Sequence, residues 1–510
     1  MSAVPFIGRR RELAALAKRL DRIRRTGAGA AMAIRGRRQV GKSRLVQEFC
    51  DKAGVPYLFF TATKGMSPVE AVEEFCADLK ESCLPADPEQ VVRVTSGSWP
   101  EAFRVLHSTI PPTPSIVVID EMPWLAEQDD LFDGALQTAW DRLLSAKPVL
   151  LLLLGSDLHM MERLTAYDRP FYGRADTMAL DPLDPAETAG ALGLTGGDAI
   201  DAYLASGGLP GILRAWPHGT PPLEFIRQEC EDPASPLFGV PESVLLAEFP
   251  SPDQARRVLE AVGSGDRTHA AVAATAGGRE GPLQSGSLSP LLRRLTGEKR
   301  VLAMDEPLSV QPGKPALYRI RDHNLRMYLG VLRAAAQHSH RGRPDLAFGL
   351  VRRRWASLRG RAVEPIVRQA LGMAAASGEL PWPDAEAVGG WWNRRFSPEV
   401  DLVGADRAPV ARRVLFAGSI KWLGTPFDGH DLAALRRDAV QVPGFDAEAG
   451  GLAVVSLSGV HPSVEGIGLT WGADDVVAAW CADRGVRAAL HAARPQRLRD
   501  RRQRAVGPAH

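Results

Sequence analysis

Short, continuous apolar runs recur through the first 180 residues of the chain. Examples are AMAI at 31–34, SIVVI at 115–119 and VLLLLL at 149–154. Runs of this length without a polar face are typical of strands buried on both sides of a parallel sheet. The first run is followed by a turn with glycines and the start of an amphipathic helix. We therefore expect an α/β domain with a parallel sheet over residues 1–180.

Beyond residue 180 the pattern changes several times. Residues 181–250 are predicted to be helical, interrupted by the proline-rich PHGTPP. Three short helices and then two strands are predicted over 251–330, which is the order of a winged helix. A helical linker at 331–350 leads to a helix, three strands, a helix and a strand over 351–490. Residues 491–510 form a basic tail whose composition predicts disorder.

Length and charge bound the classes of protein that fit. A chain of 510 residues is too long for one hydrophobic core and predicts roughly three or four domains. Hydrophobic residues make up 45% and charged residues 24%, as in an ordinary globular protein. The net charge is only +2, so attraction to nucleic acid or to an acidic membrane would have to come from local patches.

The cysteines indicate a reducing compartment, and the apolar runs give no sign of a signal peptide or a membrane span. The five cysteines are scattered and lack the short spacings of a zinc site or a disulfide framework. The N-terminal sequence MSAVPFIGRRREL becomes charged at once and has no apolar core of a signal peptide. The most apolar run, Pro148 to Gly155, is far shorter than the ~20 residues that cross a bilayer. We expect a cytoplasmic protein without a membrane partner.

A phosphate-binding pattern lies directly after the first apolar run. The sequence GRRQVGKS fits G-x-x-x-x-G-K-[ST] and sits between a strand and a helix, as a phosphate cradle requires. Backbone N–H groups at the helix start attract phosphates, Lys42 reaches the outer ones, and the Ser43 hydroxyl can ligate magnesium. We therefore expect ATP and Mg²⁺ as cofactors. The predicted ATP-binding residues are Gly36, Arg37, Arg38, Gln39, Val40, Gly41, Lys42 and Ser43.

A second motif completes the predicted nucleotide site. The apolar strand in PSIVVIDEMPWL ends in Asp120 and Glu121. In phosphate-loop NTPases the strand-end aspartate completes the magnesium shell, and the next carboxylate orients or deprotonates the attacking water. We expect Asp120 with Ser43 at the metal and Glu121 as the catalytic carboxylate.

Three further residues are candidates for sensing or stabilising the outer phosphate. Ser156 follows the leucine-rich strand, at the edge where open parallel sheets bind ligands, and it is equally suited to cap a helix. Downstream, RPFYGRAD offers Arg169 and Arg174 to stabilise charge on the γ-phosphate, and Arg174 is the preferred one. The predicted catalytic set is therefore Lys42, Glu121, Ser156 and Arg174. Two arrangements stay open for Arg174, within its own subunit or across to a neighbour.

These motifs carry a resemblance to a known family. FIGRRREL, GRRQVGKS, VVIDEMPWL, LLLLGS and FYGR occur in the order and spacing of the archaeal-type ATPases, a branch of the AAA+ and STAND-like P-loop NTPases. The resemblance implies a nucleotide-flanking segment at the start of the chain and a helical lid whose turn lies in GGLPGILRAW. The residues it assigns are Phe6, Ile7, Gly8 and Glu12 in the flanking segment, Arg174 in YGR, and Gly208 and Pro210 in the lid.

The predicted winged helix has one basic face. Its third helix carries an apolar stripe and leaves Arg293, Arg294 and Lys299 available for phosphate contacts. The stripe consists of Leu288, Leu291, Leu292 and Leu295. The alternative is that these cations form a solvated face and the module packs on its neighbours, since side chains for base readout are sparse there. The following YRIRDHNLRMYLGVL resembles the segment by which relatives enter their C-terminal domain.

The order of elements over 351–490 is that of a restriction-endonuclease core. Such a core needs a carboxylate on one strand, a second on the next strand, and a lysine two residues beyond it, so that a metal and a poised water meet at a phosphodiester. Asp401 and Glu399 lie on the first strand, Lys421 ends the second, and Glu364 on the preceding helix is a backing acid. The segment resembles the nuclease-like C-terminal domain of the same ATPases.

One position departs from that nuclease pattern. Ser419 stands where the family usually has an acid, and a neutral hydroxyl binds a hard cation far less well than a carboxylate. Three interpretations stay open: an inactive nuclease fold that binds nucleic acid or packs on the ATPase, a weak nuclease in which Glu399 or Glu364 moves to the metal, and a strand-end lysine without a site. Lys421 fits the first as a retained active-site lysine.

The sequence thus predicts an α/β multidomain ATPase that uses ATP and Mg²⁺. Its partner would be DNA, bound through the winged helix, the nuclease-like domain and the basic tail, or another protein. The first alternative is a nucleotide-gated DNA-binding regulator with little turnover. The second is an ATP-regulated DNA nuclease.

Overall fold

The computed structural model describes residues 6–85, 97–157, 160–162, 167, 171–249, 254–312 and 315–481. The chain divides into two compact units, Met1–Leu183 and Asp184–His510. Arg169 and the basic tail at 491–510, both singled out from the sequence, lie outside the described residues.

The first unit is built on a five-stranded sheet in which neighbouring strands run parallel. Its strands are β1 (Ala30–Arg35), β2 (Tyr57–Thr61), β3 (Ser115–Asp120), β4 (Val149–Gly155) and β5 (Ala175–Ala179), in the order β2-β3-β4-β1-β5. Every residue of β3 and β4 is buried, as continuous apolar runs predict. Because all strands run the same way, their carboxyl ends meet at one edge, and β4 lies between β3 and β1 there.

Helices cover this sheet. They are α1 (Arg10–Thr26), α2 (Lys42–Ala53), α3 (Pro68–Glu81), α4 (Trp99–Thr109), α5 (Pro123–Gln128) and α6 (Phe132–Ala139), with a π-helical turn at Trp140–Leu144. The core between α3, α4, α6 and the sheet includes the buried aromatic side chains Phe60, Phe75, Trp99, Phe103 and Phe132. Trp99 and Phe132 meet edge to face with ring centroids 5.0 Å apart. Offset and edge contacts of this kind stabilise a core beyond the area they bury.

The second unit begins with helices and continues into two sheets. Its first helices are α7 (Pro185–Leu192), α8 (Gly196–Ser206), α9 (Pro210–Leu213), α10 (Pro222–Glu229), α11 (Pro236–Glu248), α12 (Gln254–Ser264), α13 (His269–Gly277) and α14 (Ser285–Arg293), with a 3-10 turn at Gly278–Glu280 and a π-helical turn at Arg294–Glu298. An antiparallel pair follows, β6 (Leu302–Asp305) with β7 (Leu317–Ile320).

The remaining elements of the second unit surround a mixed sheet. They are α15 (His323–Met327), a π-helical turn at Tyr328–Leu332, α16 (Arg333–His340), α17 (Pro344–Ala376), β8 (Ala387–Trp392), β9 (Glu399–Ala405), β10 (Val414–Lys421), α18 (Gly429–Ala439), β11 (Gly451–Ser456), β12 (Leu469–Trp471) and α19 (Ala473–Ala479). The sheet order is β12-β11-β10-β9-β8. β10 pairs antiparallel with β9 and parallel with β11.

Helix α8, inside the predicted lid, is tied to the later helices of its own unit. The Asn324 amide donates to the carbonyl of Ala205 across 2.8 Å, and the N–H of Gly196 donates to Asp474 across 2.7 Å. Asp201, which is buried, accepts from Arg359 at 2.8 Å. These contacts join the predicted lid segment to α15, α17 and the N-terminus of α19.

No helix within the described part of the chain is both long enough and apolar enough to span a membrane.

Candidate nucleotide-binding site

The predicted phosphate loop connects β1 to α2 at the carboxyl edge of the parallel sheet. Helix α2 begins at Lys42, directly after the loop, so its first N–H groups face the loop. Gly36 opens the loop at a close approach, because a Cβ built there would lie 2.4 Å from the carbonyl oxygen of Leu180. Any larger residue at 36 would push the loop off β5.

Lys42 is folded back onto its own loop. Its ammonium Nζ donates to the carbonyl of Gly36 at 2.8 Å and to that of Arg37 at 3.2 Å. Burial lowers the pKa of Lys42, while the charges of Glu121 and Asp120 oppose that effect. The two carbonyls are neutral acceptors, and phosphate oxygens would give this ammonium stronger, charge-assisted hydrogen bonds.

Asp120 lies buried at the end of β3 beside the loop. Burial raises its pKa, and hydrogen bonds from the Ser43 hydroxyl and from the N–H of Glu121 (2.8 Å) oppose the rise. The structure therefore brings the two predicted metal ligands, Ser43 and Asp120, into contact. A hydroxyl and one carboxylate are the oxygen donors with which Mg²⁺ is held at phosphate sites, where substrate phosphates and water supply the rest.

Glu121 and Ser156 also meet at this edge. The Ser156 hydroxyl donates to Glu121 Oε2 at 2.7 Å, and the Ser156 N–H lies 3.4 Å from the same oxygen. Gly155, the last residue of β4, allows the approach of the turn after Glu121, because a Cβ there would lie 2.7 Å from the Pro123 ring. Glu121 itself has a φ of 51°, a left-handed conformation that costs free energy in a residue with a side chain.

Arg174 lies in a different environment. Its guanidinium donates to both carboxylate oxygens of Asp141, each at 2.8 Å, and to the carbonyl of Tyr172 at 3.0 Å. These hydrogen bonds lower the pKa of Asp141 below its ordinary value. The bidentate pair holds Arg174 to the π-helical turn that follows α6, and its catalytic role stays a prediction.

Arg9 is a loop-bracing residue that the sequence did not single out. It is 4% exposed and donates to the carbonyl of Val40 in the phosphate loop at 2.9 Å, with Glu12 at 3.4 Å. The motif FIGRRREL carries three successive arginines, and nothing in their spacing distinguishes the buried one. Arg9 has a φ of 63° at the N-terminus of α1, and this turn directs it inward while Arg10 and Arg11 are exposed. The flanking segment also places the ring of Phe6 5.9 Å from the Arg44 guanidinium.

The predicted nuclease residues lie in the second unit and are engaged with one another or with neighbours. Asp401 accepts hydrogen bonds from the Ser419 hydroxyl at 3.1 Å and from the N–H of Ile420 at 2.8 Å. Burial of its carboxylate, together with the charge of Glu364, raises the pKa of Asp401 to about 6, and the hydrogen bond from Ile420 opposes the rise. Ser419 thus contacts the acid on the neighbouring strand.

The other residues of this set have partners outside the predicted site. Lys421 pairs with Asp431 in the first turn of α18, a residue that the sequence did not flag. Glu364 pairs with Arg368 at 3.2 Å, and Glu399 lies 3.4 Å from Arg267. Across the described ranges, no group of three or more acidic, histidine or cysteine side chains has the geometry to hold a metal ion.

The predicted third helix of the winged-helix segment buries its apolar side. Leu288, Leu292 and Leu295 are fully buried, whereas Leu291 is half-buried. Arg293 and Arg294 are exposed and Lys299 is half-buried. The face beside the stripe therefore carries two exposed cations.

Comparison with known proteins gives one family match and several structures of partial similarity. Residues 5–153 match the model of the AAA ATPase domain. The Walker-type ATPase PABY2304 of Pyrococcus abyssi is 18% identical, with a TM-score of 0.46, over 64% of this chain and 96% of its own. The Aeropyrum pernix ORC2 protein, solved as ADPNP–ADP complexes, is 14% identical, with a TM-score of 0.41, over 68% of this chain and 96% of its own.

A third structure has the same broad extent of similarity. The Aeropyrum pernix ORC1 protein, solved in complex with DNA, is 15% identical, with a TM-score of 0.33, over 68% of this chain and 96% of its own. No curated protein matches the chain. At these scores the likeness does not extend to a ligand or partner of this chain. The family match rests on residues 5–153, and over that region the chain carries an AAA-type ATPase domain, which supports nucleotide binding and ATP hydrolysis.

Proposed function

We propose that this protein is a magnesium-dependent ATPase whose nucleotide cycle acts on a winged helix and on a nuclease-like domain without nuclease activity. One observation carries the catalytic part. Lys42, the Ser43–Asp120 pair and the Glu121–Ser156 pair come from three different segments and meet at the carboxyl edge of one parallel sheet. Ligands of open α/β sheets bind at that edge.

The loop residues would bind the phosphates of ATP. The loop from Gly36 to Ser43 supplies backbone N–H groups, and the outer phosphates would replace the carbonyls of Gly36 and Arg37 as partners of Lys42. Ser43 and Asp120 would hold Mg²⁺, which when bound neutralises charge on the phosphate oxygens. The raised pKa of Asp120 fits a carboxylate that needs a cation beside it.

Glu121 would act on the attacking water. Its Oε2 atom is held by the Ser156 hydroxyl, and the other carboxylate oxygen would orient or deprotonate the water. Ser156 would then be a positioning residue, which acts on the outer phosphate by orienting the Glu121 carboxylate. Arg174 would have to leave Asp141 before it could stabilise charge on the γ-phosphate.

The winged helix is proposed for residues 251–330, between the lid at 181–250 and the linker at 331–350. Support comes from the helices α12, α13 and α14 followed by the antiparallel pair β6 and β7. The exposed Arg293 and Arg294 beside the buried leucine stripe would contact nucleic-acid phosphates. A protein partner is the alternative for this face.

The nuclease-like domain is proposed for residues 351–490. Its inactivity is supported by three contacts: Asp401 is bound by the Ser419 hydroxyl and the Ile420 N–H, and Lys421 is paired with Asp431. A nuclease of this class needs its lysine and two acids turned toward one metal and one water. We expect no magnesium-dependent cleavage of DNA, and cleavage that Asp401→Ala abolishes would overturn this part.

ATP turnover by the full chain tests the catalytic proposal. Lys42→Ala and Glu121→Gln should each reduce hydrolysis to near background, because one removes a phosphate partner and the other the water-orienting carboxylate. Lys52→Ala is the matched control, since Lys52 lies on the same helix, is 67% exposed and pairs with Glu48 four residues before it. Parent-like hydrolysis by both site variants would overturn the assignment.

DNA dependence separates the two partner classes. Turnover is measured with and without duplex and single-stranded DNA, at low and at raised salt. Stimulation that fades with salt, and that Arg293→Gln with Arg294→Gln removes, supports contact with phosphates. An active ATPase that is indifferent to DNA indicates a protein partner.

A nucleotide-gated regulator with slow turnover is the second candidate. It is supported by the helices α12, α13 and α14 with the pair β6 and β7, and by the contacts that occupy Asp401 and Lys421 in the nuclease-like domain. Such a protein would bind DNA with different affinity in the presence of ADP and of a nonhydrolysable ATP analogue. Equal affinities across a salt series count against it.

A further inference from the structure

A cation of the phosphate loop and a cation of the loop after β2 share one aromatic ring. The Arg38 guanidinium lies 5.8 Å from the ring centroid of Trp124, and the Lys64 ammonium lies 4.7 Å from the same centroid. Arg38 belongs to the phosphate loop, Trp124 to the start of α5, and Lys64 to the loop after β2. Within the described residues neither cation forms an ion pair with a carboxylate. Three segments thus converge at one half-buried tryptophan.

Trp124 is fixed to the catalytic carboxylate segment. The backbone N–H of Trp124 donates to the backbone carbonyl of Glu121 at 3.0 Å, so the ring and the carboxylate belong to one tight turn. Helix α5 also holds the loop that bears Lys64. In one orientation the Gln128 amide donates to the carbonyl of Thr63 at 3.3 Å, and in the other it bonds Met66 and Gly65. Either orientation keeps Lys64 near the ring.

Arg38 also adds positive charge at the phosphate loop. Arg38 lies close enough to Lys42 that its charge contributes to lowering the pKa of that lysine. Arg174, the cation expected at the γ-phosphate, is bound to Asp141. Within the described residues, Arg38 and Lys64 are therefore cations that an aromatic face, and not a carboxylate, holds in place.

We propose that the Trp124 ring holds the Arg38 and Lys64 side chains until a nucleoside triphosphate binds, and that both cations then contact its outermost phosphate. The site therefore prefers a triphosphate over a diphosphate. The inference rests on the proposed ATP site and adds a specificity device to it. A cation over a partly exposed ring is held weakly compared with a charge-assisted hydrogen bond to phosphate. A γ-phosphate next to Lys42 therefore draws both cations from the ring. ADP, which ends one phosphate earlier, leaves them there.

Nucleotide affinity tests this proposal. Binding of a nonhydrolysable ATP analogue and of ADP, each with magnesium, is measured by calorimetry on the full chain for Arg38→Gln, Lys64→Gln and the double variant. We expect the double variant to lose about tenfold or more in affinity for the triphosphate and less than about twofold for ADP. Lys52→Gln is the matched control for a surface lysine of the same unit, and its affinities should equal those of the parent.

Tryptophan fluorescence provides a second measurement. If Arg38 and Lys64 only stabilise the local structure, the emission of Trp124 should not distinguish the triphosphate from ADP. The emission of Trp124 is obtained as the difference between the parent and Trp124→Phe. This difference should change when the triphosphate analogue binds, stay unchanged with ADP, and stop responding in the double variant that lacks both cations. Because Phe keeps an aromatic face for both cations, Trp124→Phe should still bind the triphosphate analogue more tightly than ADP.

The outcomes separate this inference from the proposed ATP site. The proposed role of Trp124 is wrong, and the ATP site stands, if the double variant loses affinity for triphosphate and diphosphate in the same proportion. The same conclusion follows if ADP changes the Trp124 emission as the triphosphate does. If the parent binds no nucleotide, or Lys42→Ala binds as the parent does, both proposals are overturned.

Discussion

The Ser156 hydroxyl donates a hydrogen bond to Glu121 across 2.7 Å, and this contact links the residues that follow two adjacent parallel strands. The register explains the proximity, since β3 and β4 pair in parallel up to Ile119 and Leu153 and both strands end at the same edge. Glu121 is held in a left-handed conformation at that point, so its side chain is directed by backbone geometry and by one hydroxyl.

Replacing that hydroxyl should reduce turnover more than binding. With Ser156→Ala, Glu121 loses the donor that orients it, and we expect kcat for ATP to fall by about tenfold or more. KM should change little, because the hydroxyl contacts the catalytic carboxylate and not the loop that holds the phosphates. Steady-state hydrolysis measures both constants. Ser156→Thr keeps the hydroxyl and should retain most of the activity; if Thr and Ala behave alike, the hydrogen bond has no catalytic role.

Arg9 should be required for a well-formed phosphate loop. Arg9→Ala removes a buried charged donor from the Val40 carbonyl, which typically costs about 1.5–3 kcal/mol in the free energy of unfolding. We expect a lower Tm and weaker binding of an ATP analogue, both measured by thermal unfolding with and without nucleotide. Arg10→Ala, next to it and exposed, is the control. Equal effects of the two substitutions would show that Arg9 does not brace the loop.

The parts of the site that the sequence predicts are those set by short segments. The glycines, Lys42 and Ser43 lie within one turn, and Asp120 with Glu121 ends one strand, so their positions follow from local structure. Strand order could not be predicted in the same way, because insertion of β4 between β1 and β3 depends on packing across the sheet. With β4 between β3 and β1, Ser156 lies beside Glu121 as well as beside the phosphate loop.

Side-chain partners that are far apart along the chain also could not be predicted from the sequence. Asp141 lies 33 residues before Arg174, and no pattern connects the two. Asp431 could have been found from its position three residues after the helix-capping Asp428, but that pattern does not reveal that it would also bind Lys421. A side chain's partner depends on which elements pack together, and periodicity does not specify that.

Substitutions of Arg174 and of Asp141 should change kcat for ATP hydrolysis in different directions. If Arg174 stabilises charge on the γ-phosphate, Arg174→Ala should lower kcat by about tenfold or more. Asp141→Asn weakens the bidentate pair that holds the arginine away, so its kcat should equal or exceed that of the parent. Hydrolysis rates of the two variants, at equal protein concentration and over a dilution series, make the comparison. A parallel loss in both variants would mean that the pair serves only the local structure.

Asp401 should make the stability of the second unit depend on pH. Its pKa is raised from 3.8 to about 6 in the folded chain, so between these values the folded state holds a proton that the unfolded state has released. Stability is then gained as the pH falls from about 6 to about 4, and ionisation of Asp401 costs stability above about 6. In Asp401→Asn the amide oxygen can still accept from the N–H of Ile420, without an ionisation to penalise.

The comparison of Asp401→Asn with the parent isolates that contribution. The free energy of unfolding of the variant minus that of the parent should rise with pH between about 4 and about 6, by up to about 3 kcal/mol, and then level off. Denaturant unfolding at half-unit pH steps, followed by the circular dichroism of the full chain, measures the difference. Asp384→Asn, an exposed aspartate paired with Arg413 at the surface, is the control and should show no such rise. A flat difference for Asp401→Asn would mean that its carboxylate is solvated in the native protein, and a solvated Asp401 would again be available to a metal ion.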